Sequence, residues 1–532
     1  MVSEFINDKR YNWKIESSDT MFIAYKGRHE SIKKILTYLT KGGVPNVSEI
    51  KEITNKMVGN FVIVVETEAW IFGLVDRIGG YRLFYKNYHG KCILSNSPRQ
   101  LVSENQDRNT TKQSSIVEIK MAGYLTGNTT IYDDIHQLCA GELLLFNKNQ
   151  NNCVVASYFK FYSPYVRKES NEYLIKKLDD ITNTIIKRNI EDSNGRMIWV
   201  PLSGGLDSRL IVCKLKQLGC DNMRTYSYGV AGNFDAIRAK EIAHTLDLKW
   251  DFLPTSATEA RRYFLSKERK DYWNFADGLS VIPNSHGTFA LNSLIKSGKM
   301  KSGDVIINGQ SGDFITGQHI PILKKEELYS KIIVDCILKK NYSLRDELFR
   351  KKDLIEMMKA RVNDTLGDYK HVTNYQDFAK SYEYWGWKER QSKRVINGQS
   401  NYDYLGLNWE LPFWDLEYLK FWVDIPLHQK IDRNLFVEYL NKMNFYGLFK
   451  NNNKFMSRWP LSRIYIQFMG NILSKFLGKD TASQYYKKLD WYSQYEYLYA
   501  LTGKAEYNKH WSNYKGGYPY KTDIWLTENL IR

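Results

Sequence analysis

Four consecutive apolar residues, "MIWV" (197 to 200), precede the turn-rich stretch "PLSGGLDS" (201 to 208). Beyond it, Leu210, Ile211, Cys213, Leu215 and Leu218 recur at helical spacing until Gly219. A short apolar run bounded by turn residues predicts a strand, and the periodicity that follows predicts a helix. The unit is strand, glycine turn, helix. Further along, "SYEYWGWKERQSKRV" (381 to 395) reads as a helix. In "SRIYIQFMGNILSKFLGK" (462 to 479), Ile464, Phe468, Ile472 and Phe476 share one helical stripe beside Arg463, Lys475 and Lys479. Such a stripe is expected to pack on a core. Its basic flank leaves peripheral contact with an anionic membrane as the other use open to it.

A glycine turn between strand and helix presents backbone N–H groups and the positive helix end, with no Cβ atom in the way. Ser203, Gly204, Gly205 and Ser208, entered through Leu202, therefore form a candidate phosphate cradle. The lysine of a Walker loop is missing, and Asp207 stands in the turn instead. A carboxylate beside a phosphate is repelled unless Mg²⁺ bridges the two, which makes Asp207 a candidate metal ligand.

Composition narrows the setting. A chain of 532 residues predicts two or three domains, and 43% hydrophobic with 25% charged residues describes an ordinary globular enzyme. The six cysteines form no C-x-x-C pair, which argues against a disulfide framework or a zinc site and for a reducing, cytoplasmic setting. No apolar run is long enough to span a bilayer. The net charge of +17 favours an anionic partner. No nucleic-acid-binding module is visible, and the pattern leaves room for a homo-oligomer.

"LSGGLDS" resembles the pyrophosphate-binding loop of N-type ATP pyrophosphatases. Three further segments follow in the order found in the asparagine synthetase-like family. "RTYSYGVAGNFDAIRAKEIAHTLDLKWDFLP" (224 to 254) is similar to its second strand and helix, "DVIINGQSGDFITGQH" (304 to 319) to its G-x-G-[SA]-D-E loop, and "NWELPFWDLEYLKFWVDIP" (408 to 426) to its E-x-R-x-P-F-L-D segment. The resemblance implies ATP and Mg²⁺ as cofactors. It implies an adenosine pocket at Tyr226, Ser227, Tyr228 and Gly229, with Asp235 close by, a loop contact at Gly309, and a second metal carboxylate at Asp313. Upstream, "MVGNFVIVVETEAWIFGLVDRIGGYRLFYKNYHGKCILSNSPRQL" (57 to 101) resembles the family's glutaminase half. Val2 follows Met1 where the family has a nucleophilic cysteine, and the N-G-E stretch that binds glutamine is absent near "MFIAYKGRHES".

The fold class implied is α/β: an Ntn-hydrolase-like αββα sandwich over residues 1–160 and a Rossmann-like, mostly parallel synthetase domain over 171–454. A helical, aromatic-rich extension completes the chain over 455–532. The implied activity is formation of an amide from a small-molecule, glycan or peptide carboxylate and an amine, through an acyl-adenylate and without glutamine hydrolysis. Surface-polysaccharide and specialised-metabolite synthesis, lasso-type macrolactam closure and β-lactam-type cyclisation are the members of this subset. A tRNA-modifying pyrophosphatase and an inactive ATP-binding scaffold are the readings from other classes. The resemblance places a stabilising lysine at Lys454, preferred to Lys450. The base is harder to place: Phe314 follows Asp313 where asparagine synthetases carry glutamate, and Gln310 stands where cyclising members carry tyrosine. Glu383 and Glu389 are the candidates left, each also read as the partner of a nearby helix cation.

Overall fold

The computed structural model describes residues 4–88, 90–102, 110–229, 231–285, 287–323, 329–450, 461–478, 481–482, 485 and 518–530. The first half is built on strict alternation. Strand β4 (Phe61–Thr67) pairs antiparallel with β5 (Trp70–Val75), placing Ile63 opposite Leu74 and Val62 opposite Val75. Ile63, Val65, Phe72 and Leu74 point to one face, where helices α1 (His29–Leu39) and α2 (Val47–Thr54) cover them with Ile32, Ile35 and Ile50. Val62, Val64, Ile71 and Val75 point to the other, against a second sheet. A strand with two buried faces is apolar throughout, which is why "FVIVV" carries no polar alternation.

With β2 (Lys14–Ser17), β3 (Met21–Gly27), β9 (Glu142–Asn147) and β10 (Asn152–Ser157), these strands form a six-stranded sheet in the order β10-β9-β5-β4-β3-β2. The facing sheet has the order β1-β7-β6-β8, from β1 (Phe5–Ile6), β6 (Phe84–Tyr88), β7 (Lys91–Ser95) and β8 (His136–Gln137). Gly73 permits their approach: a Cβ there would stand 2.7 Å from Leu83 Cδ2 of the facing layer. The outer face of the smaller sheet is covered by Leu101, Val102, Tyr132 and Ile135, from the segment that carries α3 (Gln113–Ala122).

The second half follows α4 (Asn171–Ser193). Its sheet has five strands, all parallel, in the order β13-β12-β11-β14-β15. They are β11 (Ile198–Pro201), β12 (Met223–Gly229), β13 (Trp250–Pro254), β14 (Val305–Ile307) and β15 (Asn408–Glu410). Ile198, Trp199 and Val200 are fully buried at its centre; burying side chains of this size stabilises by roughly 1.5–3 kcal/mol each. The strand and helix expected around 197 to 219 are β11 and α5 (Leu206–Gln217). From β11 the chain winds outward through β12 and β13, then returns to the other side of β11 as β14. Such a reversal opens a crevice at the carboxyl ends of the two central strands.

Two elements depart from expectation. The helix read over 381 to 395 is α-helical only to Trp385, the end of α6 (Tyr375–Trp385), and continues as a π-helix from Gly386 to Val395. The tail stripe lies on α7 (Leu461–Leu477) as expected, but among its described side chains Phe468 and Phe476 do not pack on a core, being 62% and 81% exposed. The last helix, α8 (Tyr518–Leu530), buries Trp525 and Leu526 with Ile119 of α3 and with Phe264 and Trp273 of the second half. Among the described residues no helix is long and apolar enough to cross a membrane.

Candidate active site at the carboxyl ends of the central strands

The loop leaving β11 and the loop leaving β14 meet in the crevice. Gly205 is the N-cap of α5 and offers no side chain to the helix start, so the first-turn N–H groups stay available to an incoming acceptor. The loop is held by its own hydroxyls. Ser203 N–H donates to Ser208 Oγ at 3.1 Å, the two hydroxyls lie 3.1 Å apart, and Gly205 N–H donates to Ser203 Oγ at 3.2 Å. Gly204 N–H donates to the Asp235 carboxylate at 3.1 Å. A carboxylate oxygen thus already occupies one of the loop N–H groups.

Arg209 fixes the loop from behind. Its guanidinium donates to the Gly204 carbonyl at 2.6 Å and to the Leu448 carbonyl at 2.9 Å, and lies 5.4 Å from the Phe449 ring centroid. No motif pointed to this residue, because its partners lie near and far in sequence and only folding brings them together.

Asp207 and Asp313 face each other across the crevice. Asp207 sits in the first turn of α5 and forms an ion pair with Arg433, whose Nε also donates to Thr316 Oγ1 at 2.8 Å. Burial raises the Asp207 carboxyl above its ordinary value, Arg433 opposes that, and the charge of Asp313 adds to it. For Asp313 burial pulls in the same direction but loses. The His319 ring 3.1 Å away and the Phe314 N–H at 2.8 Å bring it down to about 2. Asp313 is therefore an ionised carboxylate across the physiological range. Two glycines make this approach possible. A Cβ on Gly312 would lie 2.6 Å from Asp207 Cγ, and one on Gly309 would lie 3.0 Å from Ser208 N.

Two hard carboxylate donors beside a cradle of N–H and hydroxyl groups suit Mg²⁺, which takes one or two protein carboxylates and completes its shell with phosphate oxygens and water. Among the described residues no cluster of three or more His, Cys, Asp or Glu offers an all-protein cage. The donor set fits a metal that arrives with a nucleotide.

Other expected residues lie differently. Leu202 extends the ladder, its N–H donating to the Tyr226 carbonyl at 2.9 Å. The side chains of Tyr226 and Ser227 do not open onto the crevice, which corrects the reading of all four residues 226 to 229 as pocket lining. Tyr226 is buried against Trp199, and Ser227 Oγ is spent on the Leu202 carbonyl at 2.6 Å and on Trp250 Nε1 at 2.9 Å. Tyr228 is exposed, and Gly229 adopts a φ of +129° at the strand end, so these two remain on the open side.

Glu383 and Glu389 are corrected as candidate bases. Glu383 forms a buried pair with Lys430 at 2.8 Å. Glu389 accepts from Lys393 at 2.5 Å, Thr365 Oγ1 at 3.0 Å and Gly127 N–H at 3.0 Å. Both carboxylates are fastened by cations in the interior rather than presented to a substrate. Lys450 is exposed, its N–H on Asn444 Oδ1 at 2.9 Å, and Lys454 lies outside the described residues.

The family model for asparagine synthase matches residues 196–443, the span that holds the cradle and both carboxylates. Residues 196–443 are thus similar to an asparagine synthase domain. No curated protein matches the chain. Two solved structures are similar to parts of it. An NH3-dependent NAD synthetase from Campylobacter jejuni shares 16% identity over 39% of this chain and 98% of its own, with a TM-score of 0.21. A glutamine phosphoribosylpyrophosphate amidotransferase from B. subtilis shares 10% identity over 47% of this chain and 74% of its own, with a TM-score of 0.16. Scores this low carry no argument about fold or reaction. The synthase domain is of the ATP-dependent ligase type, and its fold class is read from its own parallel sheet and switch point.

Proposed function

We propose that the chain is an AMP-forming carbon–nitrogen ligase that adenylates a substrate carboxylate and joins it to an amine. The observation that carries this reading is the meeting of the Ser203–Ser208 cradle with Asp207 and Asp313 at the switch point of an asparagine synthase domain. Ser203, Gly204, Gly205 and Ser208 would bind the phosphates, and Asp207 and Asp313 would hold Mg²⁺. The metal would supply charge neutralisation as pyrophosphate departs. The substrate carboxylate attacks the α-phosphorus and pyrophosphate leaves; the amine then attacks the acyl carbon, AMP leaves, and the amine proton passes to a base.

Glutamine is not hydrolysed in this reading. None of the six cysteines stands at the start of β1, where the family keeps its nucleophile: Cys92 is buried in β7, the strand paired with β1, Cys139, Cys213 and Cys220 are buried, and Cys153 and Cys336 are half-buried. The N-terminal sandwich acts instead as a brace. Its Arg77 carbonyl accepts from Trp387 Nε1 at 2.7 Å, its Glu142 pairs with Lys388 at 2.5 Å, and its Gly127 N–H donates to Glu389. Three contacts grip the π-helix that in turn reaches the Asp313 loop, through Gln391 to Ser311 Oγ at 2.8 Å. We place the reaction in surface-polysaccharide or specialised-metabolite synthesis, on the resemblance to family members that lack the glutaminase nucleophile.

The test is ATP–pyrophosphate exchange with Mg²⁺ across uronic acids, nucleotide-linked uronates, acidic amino acids and acidic peptides. Exchange with one class, lost in Asp207→Ala, is the expected result. Measurable ATP binding without exchange on any acid would favour the inactive scaffold over the ligase.

A further inference from the structure

The two halves of the chain meet around a cleft of about 830 Å³, within the size range of small-molecule sites. Six lysines and arginines line it against three acids, and neither the Ser203–Ser208 cradle nor Asp313 takes part. The acids are already answered. Lys26 of the sandwich reaches Asp403 at 2.7 Å, and Arg28 reaches Asp192 at 3.0 Å. Glu410, the third, is pushed up to about 8 mainly by burial and is neutral at pH 7. Among the cations Arg10 turns out of the cleft to Asp8 at 2.6 Å. Lys9 and Lys14 of the sandwich and Arg196 of the second half are left, and among the described residues none of them forms an ion pair. The Arg196 guanidinium meets backbone carbonyls instead, of Ser193 at 2.7 Å and of Asp192 at 2.9 Å.

Adjoining the cleft is a chamber of about 30 Å³ that shares Lys26, Tyr81 and Asp403 with it. Arg82 lines this chamber. Its Nη1 donates to the Ala276 carbonyl at 2.8 Å, and its Nη2 is buried without a hydrogen-bond partner among the described residues. The acids that act on it, Asp277 and Asp403, are taken by Arg99 at 2.5 Å and by Lys26. Buried donors in folded proteins are satisfied by protein, water or an ion, so Nη2 marks a place for an acceptor. A brace between the halves accounts for Lys26 and Arg28, which cross the cleft to acids. It does not account for Lys9, Lys14 and Arg196, which pair with none. Cations on two walls of one concave space repel each other and focus a positive potential into it, a cost to the fold that an anion between them removes.

We infer that the cleft between the two halves binds a small molecule with two or more anionic groups, carboxylates or phosphates, at a site separate from the nucleotide crevice. The inference stands whether or not the chain adenylates an acid.

Calorimetric titration tests it on the full chain, with and without Mg²⁺ and a non-hydrolysable ATP analogue at saturation. The probes are tricarballylate, fructose 1,6-bisphosphate and the mono-anion acetate. At least one polyanion should bind more tightly than acetate, with the same affinity whether or not the analogue is present, and the one preferred tells carboxylate from phosphate. Lys14→Gln and Arg196→Gln should each weaken that polyanion at least about fivefold. Both side chains are exposed, so affinity for the analogue and the melting temperature without ligand should stay at wild-type values. No preference over acetate, equal polyanion binding in both variants, or binding that the analogue abolishes would each overturn the site. Failure of the analogue to bind the wild type would overturn the adenylation reading alone, and the two variants would still decide the cleft.

Discussion

At the residue scale the site depends on how closely backbone approaches carboxylate. Gly312 and Gly309 let the β14 loop lie against Asp207 and Ser208, and the distances rank their importance. A methyl at Gly312 would fall 2.6 to 2.9 Å from three atoms of the Asp207 carboxyl group, where no side chain can withdraw without moving the metal ligand itself. At Gly309 the nearest atom is a backbone nitrogen at 3.0 Å. Overpacking of this kind costs about 1–3 kcal/mol. Gly312→Ala should therefore weaken Mg·ATP binding by about ten- to a hundredfold, with a smaller loss for Gly309→Ala. Equilibrium titration with a fluorescent ATP analogue checks this, and unchanged affinity in Gly312→Ala would remove Asp207 from the binding site. Asp207 stood out in the sequence because a carboxylate inside a phosphate loop has few other uses, and Asp313 was suggested only by the resemblance of its loop to the family's. Arg209, His319 and Arg433 were not. Each acts on a partner through tertiary contact, Arg433 from 226 residues away, and nothing local distinguishes it from a surface cation.

At the scale of elements, strand β11 and helix α5 were readable because one periodicity stops where another starts and glycines mark the junction. The π-helix was not. The segment 381 to 395 has helical composition throughout, and only tertiary contact, of Trp387 near the start of the π-helix with Arg77 and of Gln391 at its middle with Ser311, selects the wider i to i+5 geometry after Trp385. Helix α7 is the opposite case, with a legible period and a misread destination. An amphipathic stripe says that something covers it, and says nothing of whether that is the chain's own core. Tyr465, Phe468 and Phe476 recur at helical spacing and are 62%, 62% and 81% exposed, with Lys475 beside them, on a chain of net charge +17. This face suits the headgroup region of an anionic bilayer. The full chain should sediment with vesicles rich in phosphatidylserine at physiological salt. Phe468→Ser with Phe476→Ser should weaken partitioning at least about a hundredfold, at roughly 1.5–3 kcal/mol per buried ring. A wild-type chain that stays in the supernatant would leave the stripe to a protein partner.

The two halves of the molecule were each legible, but not how they meet. Glu142 and Lys388 are 246 residues apart, and no period or motif connects them. Their junction encloses a cleft of about 830 Å³ lined by Lys14, Lys26 and Arg28 from the sandwich and by Arg196, Trp409 and Glu410 from the synthase domain. Lys26 crosses it to Asp403 at 2.7 Å and Arg28 to Asp192 at 3.0 Å. Glu410 ends β15 against this cleft. Burial, then the nearby charges of Asp192 and Asp415, push its carboxyl up to about 8 from an ordinary 4.5, with Arg28 and Arg188 opposing. The folded chain therefore holds a proton that the unfolded chain releases near pH 4.5. Between those two values the folded state binds more protons, so this residue's contribution to stability declines as pH rises through the window and levels off above about 8. Glu410→Gln keeps the shape and cannot ionise. It should match the wild type near pH 5 and exceed it near pH 8.5, on the order of 2 kcal/mol after screening by water in the cleft. Urea unfolding at the two pH values measures the difference. A gap that stayed the same at both would mean that Glu410 is ionised in the folded protein, and that the junction of the two halves holds a charge where its burial calls for a neutral acid.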